Sequence, residues 1–181
     1  MNLIKEDIRK LPFEILIDQK TISERVAELG SEITADYTGK KLVLLGVLKG
    51  CIVFMTDLMR EIDLLLEIEF ISASSYKTGT KQDSNMTISP VSTLSLAGKH
   101  VLIVEGIVDS GDTSVAIIEE IEKMEPASLE MVTLLDKPTS HRNKLDIKYK
   151  GFTIGNKFVI GYGLDNTQLY RNLPFIGKVA D

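Results

Sequence analysis

One cysteine, Cys51, is all the thiol this 181-residue sequence contains. That excludes an internal disulfide and a cysteine-based metal cluster within one chain, and leaves burial as a small apolar residue as the expected role. Histidine is almost as scarce. His100 and His141 form no visible metal-binding pair and are expected in solvated loops. No apolar run approaches the roughly 18 residues that span a bilayer. The amino-terminal stretch, with Lys5, Glu6, Asp7, Arg9 and Lys10, lacks the apolar centre of a secretion signal. A cytoplasmic protein without a membrane partner is expected. A basic excess is missing as well: 21 Lys and Arg stand against 26 Asp and Glu, a net charge of −5. This disfavours a general nucleic-acid surface, which needs clustered cations.

What the sequence does contain is ordinary globular material, 44% hydrophobic and 26% charged, with no internal repeat or linker. A single domain over 1–181 is expected, large enough to bury about 70% of the surface its unfolded chain exposes. Thr21 and Glu24 have capping-box spacing. Ile22, Val26, Leu29, Ile33 and Tyr37 then follow at helical steps and predict an amphipathic helix. Leu42–Val47 reads as a strongly apolar strand, Leu48-Lys49-Gly50 as a turn and Ile52–Ile62 as a helix. Further strands are predicted at Leu66–Ser72, Val101–Val104, Leu129–Leu135 and Phe158–Gly161, with a helix from Thr113 to Met124. Strands alternating with helices imply a parallel, right-handed α/β sheet flanked by helices. Between Ser74 and Gly98 the composition turns polar, which reads as a long hairpin or a lid loop.

Val101–Thr113 is the most informative stretch. Val101-Leu102-Ile103-Val104 is apolar at every position, as in a strand buried on both faces. Glu105 follows, and then Asp109-Ser110-Gly111-Asp112-Thr113 at the strand's carboxyl end. Such a loop can turn successive N–H groups and two hydroxyls toward a dianion, with Gly111 free to take a positive φ. The helix behind it adds the positive end of its dipole.

This segment resembles the phosphoribosyl pyrophosphate motif of the type I phosphoribosyltransferases. One position departs: Gly106 stands where the family carries a second, adjacent carboxylate. From about Ile15 to Val179 the resemblance narrows to bacterial hypoxanthine-guanine phosphoribosyltransferases. It is carried by Leu48-Lys49-Gly50, Ser74-Ser75-Tyr76, Leu134-Leu135-Asp136-Lys137, Phe158–Asp165 and Tyr170–Gly177. It implies the family's α/β fold with a small hood and a mobile lid at about 74–98. The implied reaction is Mg²⁺-dependent transfer of a 5-phosphoribosyl group from phosphoribosyl pyrophosphate to N9 of hypoxanthine, and of guanine. A homodimer or homotetramer is implied as well.

The resemblance also implies roles for residues. Asp109 is the general base near purine N7 and, with Glu105, Ser110, Gly111, Asp112 and Thr113, part of the ribose and 5-phosphate site. The Asp112 side chain, repelled by a dianion, is expected to face solvent. Lys49, Gly50 and Arg171 meet the pyrophosphate, the Lys49 loop through a cis peptide. Lys137 donates to the 6-oxo group, which selects against adenine. Phe158 stacks on the base, the Val159 main chain reads its edge, Asp165 belongs to the purine end and holds a second Mg²⁺, and Glu105 faces the ribose hydroxyls and the Mg²⁺ shell. Ser75 and Tyr76 belong to the lid. Gly106 is expected to weaken activity, and Gly106→Asp to improve it. Two further readings stay open: a xanthine-preferring enzyme, and a non-catalytic nucleotide- or RNA-binding regulator on the same fold.

Overall fold

The computed structural model describes residues 13–75, 86–91 and 95–179. A six-stranded sheet runs in the order β4 (Met86–Pro90), β3 (Leu66–Ser75), β2 (Leu42–Leu48), β5 (His100–Val108), β6 (Ser128–Asp136), β7 (Tyr149–Thr153). All of its pairings are parallel except the antiparallel β3–β4 edge. The hydrophobic runs read as strands because alternate residues feed two separate cores. Leu42, Leu44, Leu102 and Val104 join one cluster, while Val43, Leu45, Val101 and Ile103 join the other. Strands buried on both faces need apolar side chains at every position.

Helices α1 (Gln19–Tyr37) and α2 (Ile52–Glu61) supply the first cluster, and α3 (Asp112–Glu122) supplies the second. The predicted stripe of α1 is buried at all five positions. Its start differs from the expected capping box: Asp18 caps it, accepting from the Thr21 N–H at 2.8 Å, so the helix begins ahead of Thr21. A second, three-stranded antiparallel sheet, β1 (Phe13–Ile17), β9 (Ile176–Val179) and β8 (Val159–Ile160), forms the small hood. β1, β7 and β9 were not among the predicted strands. They are short, and their burial is mixed rather than alternating.

Because α2 and α3 follow neighbouring strands but pack on opposite faces, the crevice beyond the carboxyl ends of β2 and β5 is a topological switch point. Ligands bind at such crevices in open α/β sheets. Cys51 is buried as expected. The two histidines are not solvated. His100 begins β5, with Nδ1 2.8 Å from Ser128 Oγ and its ring edge-on to Tyr37. The His141 side chain is 14% exposed against Asp136. Of the expected lid, the described parts are the β3–β4 pairing, whose register ends at Ser75 opposite Met86, and residues 91 and 95–98, with Leu96 buried in the second cluster. Tyr76 and most of the stretch between Ser74 and Gly98 lie outside the described residues.

Candidate active site

Strand register builds the centre of the site. β5 and β6 run parallel with Val108 opposite Asp136, and the Lys137 N–H donates to the Val108 carbonyl at 3.0 Å. The next residue on each strand therefore emerges side by side. Lys137 Nζ lies 2.6 Å from Asp109 Oδ2, with the lysine side chain 6% exposed and the aspartate 54%. A buried ammonium thus meets a carboxylate that opens to solvent. The pair offers a donor and an acceptor at one point, the pattern needed to read two adjacent groups on a flat ring.

Next to Asp109, residues 109–111 turn into α3. Gly111 takes φ +82°, a conformation that favours glycine, and a Cβ there would also push aside the tip of Leu145, 2.5 Å away. Val47, Leu48, Gly50, Glu105, Asp109–Gly111 and Thr113 share a cavity of about 230 Å³. The size and the loop-to-helix geometry suit a phosphate with an attached sugar. The Asp112 side chain has partners the sequence did not show. It is 40% exposed, as expected, but it is also held there by Arg142 Nη1 at 2.9 Å, Ser110 Oγ at 3.0 Å and Asn143 Nδ2 at 3.3 Å, because its charge finds a cation on the segment after Lys137.

Glu105 lies at the cavity's floor, 8% exposed, and burial pushes its carboxyl up to about 8. It is predominantly neutral at pH 7 until a cation or a hydrogen-bonding ligand reaches it. Its neighbour Gly106 has no spare room. A Cβ at Gly106 would stand 2.5 Å from the Gly50 carbonyl oxygen and 3.3 Å from Leu164 Cδ2. A Cβ on Gly163, at φ +99°, would collide with the same oxygen. Gly50 therefore sits in a seat walled by two glycines. The Gly50 backbone fills the space where the Cβ of an aspartate at 106 would lie, which argues against the expectation that Gly106→Asp improves the site.

The Leu48–Lys49 peptide is cis. Lys49 is exposed and reaches Gln168 Oε1 at 3.3 Å. Arg171 does not project into the phosphate cavity. It lines a separate one of about 400 Å³ between α1, α2 and residues 171–174. It reaches the surroundings of Gly50 indirectly, donating to the Gly163 carbonyl at 2.7 Å, and it pairs with Asp165 at 2.7 Å. Gln168 joins these parts: its N–H donates to Asp165 Oδ2 at 2.8 Å, and its side-chain oxygen accepts from Lys49 and, at 3.5 Å, from Arg171. Phe158 is 55% exposed just ahead of β8, while Val159 is buried. Ser75 ends β3.

Sequence reasoning missed Gln168, Arg142, Asn143 and Gly163. It also missed the support behind Lys137: buried Asp136 faces His141 Nε2 at 2.8 Å and Lys150 Nζ at 3.5 Å. Only Gly163, inside a Gly-Tyr-Gly run, carried a local signal.

Comparison with known proteins agrees with this geometry. Residues 14–167 match the phosphoribosyl transferase domain. Hypoxanthine-guanine phosphoribosyltransferase of Streptococcus pneumoniae is 41% identical over 179 residues, covering 99% of this chain and 97% of that protein. A hypoxanthine phosphoribosyltransferase structure from Staphylococcus aureus superposes with a TM-score of 0.88 at 42% identity, covering 99% of this chain and 96% of the other. The bifunctional protein TilS/HprT of Listeria innocua is 43% identical over 171 residues, and there the chain spans only 26% of the relative's length.

Proposed function

The chain belongs to the phosphoribosyl transferase family, and we propose that it transfers a 5-phosphoribosyl group from phosphoribosyl pyrophosphate to N9 of hypoxanthine, and of guanine, in purine salvage. In this reaction the ribose C1–O bond to pyrophosphate breaks and a C1–N9 bond forms. Positive charge gathers on the ribose and negative charge on the leaving group in between, so catalysis is largely charge placement.

The observation that carries the proposal is the Lys137–Asp109 pair, 2.6 Å apart at the mouth of the phosphate loop. O6 and N7 are neighbours on one edge of a 6-oxopurine. An ammonium that donates to O6 beside a carboxylate that accepts from N7–H matches that edge, and an exocyclic amine at position 6 leaves the lysine without an acceptor. Asp109 then takes or shares the ring proton as the new bond forms. The exposed Phe158 face is available for stacking, and the buried Val159 main chain for the ring's far edge.

The N–H groups of Ser110–Thr113 cradle the 5-phosphate, and Glu105 faces the ribose. Lys49 and the Gly50 main chain meet the pyrophosphate, with Arg171 on its far side. The donors fit Mg²⁺, a hard cation that keeps several waters and binds through one or two carboxylates and substrate phosphates. A deprotonated Glu105 would hold one such ion at the cavity, and Asp165, whose oxygens now meet Arg171 and the Gln168 N–H, would hold a second; the ions would supply neutralisation of the pyrophosphate charge.

The test is turnover with phosphoribosyl pyrophosphate, Mg²⁺ and each of hypoxanthine, guanine, xanthine and adenine, in the wild type and in Lys137→Gln. The expected result is use of 6-oxopurines but not adenine, with discrimination falling at least tenfold in the variant. Turnover of xanthine above the other bases would replace the substrate assignment. No turnover in folded protein would refute it. Light scattering on the same sample tests the accompanying proposal of a homodimer or homotetramer. As to membranes, no helix among the described residues is long and apolar enough to cross one.

A further inference from the structure

The phosphate loop carries a carboxylate where a dianion must bind, and the structure shows how that charge is met. Both oxygens of Asp112 are engaged: Oδ2 by Arg142 Nη1 at 2.9 Å and Ser110 Oγ at 3.0 Å, Oδ1 by Asn143 Nδ2 at 3.3 Å. The Arg142 main chain completes the contact, its N–H donating to the Ser110 carbonyl at 2.9 Å. Leu145 covers Gly111 from the same side. Four consecutive loop positions, 109–112, are thus fastened to the segment that begins at Lys137.

Resting on the functional reading above, we infer that Arg142 is a positioning residue for the 5-phosphate: it neutralises Asp112 and turns its carboxylate away from the anion site, acting through Asp112 rather than on the phosphate. The guanidinium is suited to this role. It offers several donors in a rigid fork. An exposed ion pair contributes little to stability by itself, and here the side chains are 74% and 40% exposed. Its effect is therefore expected in binding rather than in folding. Without Arg142 a bare carboxylate stands beside the dianion, and like charges in a partly dry cleft repel strongly.

The experiment compares the wild type, Arg142→Ala, Asp112→Asn and the double variant. Arg142→Ala is expected to raise the KM for phosphoribosyl pyrophosphate about five- to twentyfold with kcat within twofold, and with thermal stability unchanged. Arg142→Lys is expected to recover most of the loss. In the Asp112→Asn background the same Arg142→Ala change is expected to alter KM less than twofold, since the charge it offsets is gone. An equal penalty in both backgrounds would show that Arg142 binds phosphate directly, and no penalty in either would show an idle surface pair. Both results overturn the inference. Calorimetric titration with IMP separates this from the functional reading. Wild-type protein that neither turns over nor binds IMP refutes that reading. Wild-type binding with Arg142→Ala binding equally well refutes the present inference alone.

Discussion

The two loops at the mouth of the sheet that we propose hold the 5-phosphate and the pyrophosphate are held by opposite means. The loop after β5 is fastened by side chains: Asp112 to Arg142 and Asn143, Asp109 to Lys137, Leu145 over Gly111. The loop after β2 is held by the lack of them. The Gly50 carbonyl fits between Gly106 and Gly163, and among the described residues its one polar side-chain tie is the 3.3 Å contact from Lys49 to Gln168. Polar fastening tolerates substitution at the cost of a contact, whereas a glycine seat fails as soon as a methyl group enters it. The phosphate loop is therefore expected to lose affinity gradually on mutation, and the pyrophosphate loop abruptly.

Between the two loops, filling the seat gives the larger expected effect. Gly106→Asp should displace the Gly50 loop, lower stability by about 1–3 kcal/mol as overpacking does, and raise the KM for phosphoribosyl pyrophosphate at least tenfold. Equilibrium urea unfolding and initial rates measure both. A variant at wild-type stability with a lower KM would break the contrast between the loops. On the other loop, Gly111→Ala places a Cβ at φ +82° and against Leu145. The left-handed conformation alone costs about 1–2 kcal/mol. Adding Leu145→Ala should relieve the crowding and leave the conformational part, measurable in the same unfolding experiment.

Glu105 lies between the loops and predicts a pH dependence. Its folded pKa is raised from 4.5 to about 8 by burial. Its favourable contribution, full below about 4.5, is therefore lost as pH rises through about 8, the folded state holding the proton longer. Without Mg²⁺ or substrate, wild-type stability should fall across that window, and Glu105→Gln should flatten the fall. An unchanged slope in the variant would place the titration elsewhere. The smallest effect is expected from Lys49→Ala, a severalfold rise in the KM for phosphoribosyl pyrophosphate with unfolding unmoved, because the side chain is exposed and its tie is long.

The same contrast explains what could be read from the chain beforehand. β2, β5, β6 and all three helices were visible because uninterrupted apolar runs and five-position stripes report burial directly. The phosphate loop was visible because its residues are contiguous. β1, β7 and β9 were not, since short strands of mixed burial carry little periodicity. The seat was hidden for a different reason. Gly50, Gly106 and Gly163 are far apart in sequence, and the meaning of Gly106 lies in what stands opposite it. Read alone it was a missing carboxylate, whereas register makes it the space into which Gly50 fits. Arg142 and Gln168 were likewise ordinary surface residues until the fold brought Asp112 and Lys49 to them.

The account rests most directly on Asp109, the carboxylate that faces both Lys137 and the open cavity. The measurement that tests it is steady-state IMP formation from hypoxanthine and phosphoribosyl pyrophosphate with Mg²⁺, comparing the wild type with Asp109→Asn. Loss of general base catalysis should lower kcat about 10²- to 10⁴-fold, with the KM for phosphoribosyl pyrophosphate changed far less. An asparagine variant that turns over at the wild-type rate would contradict the account.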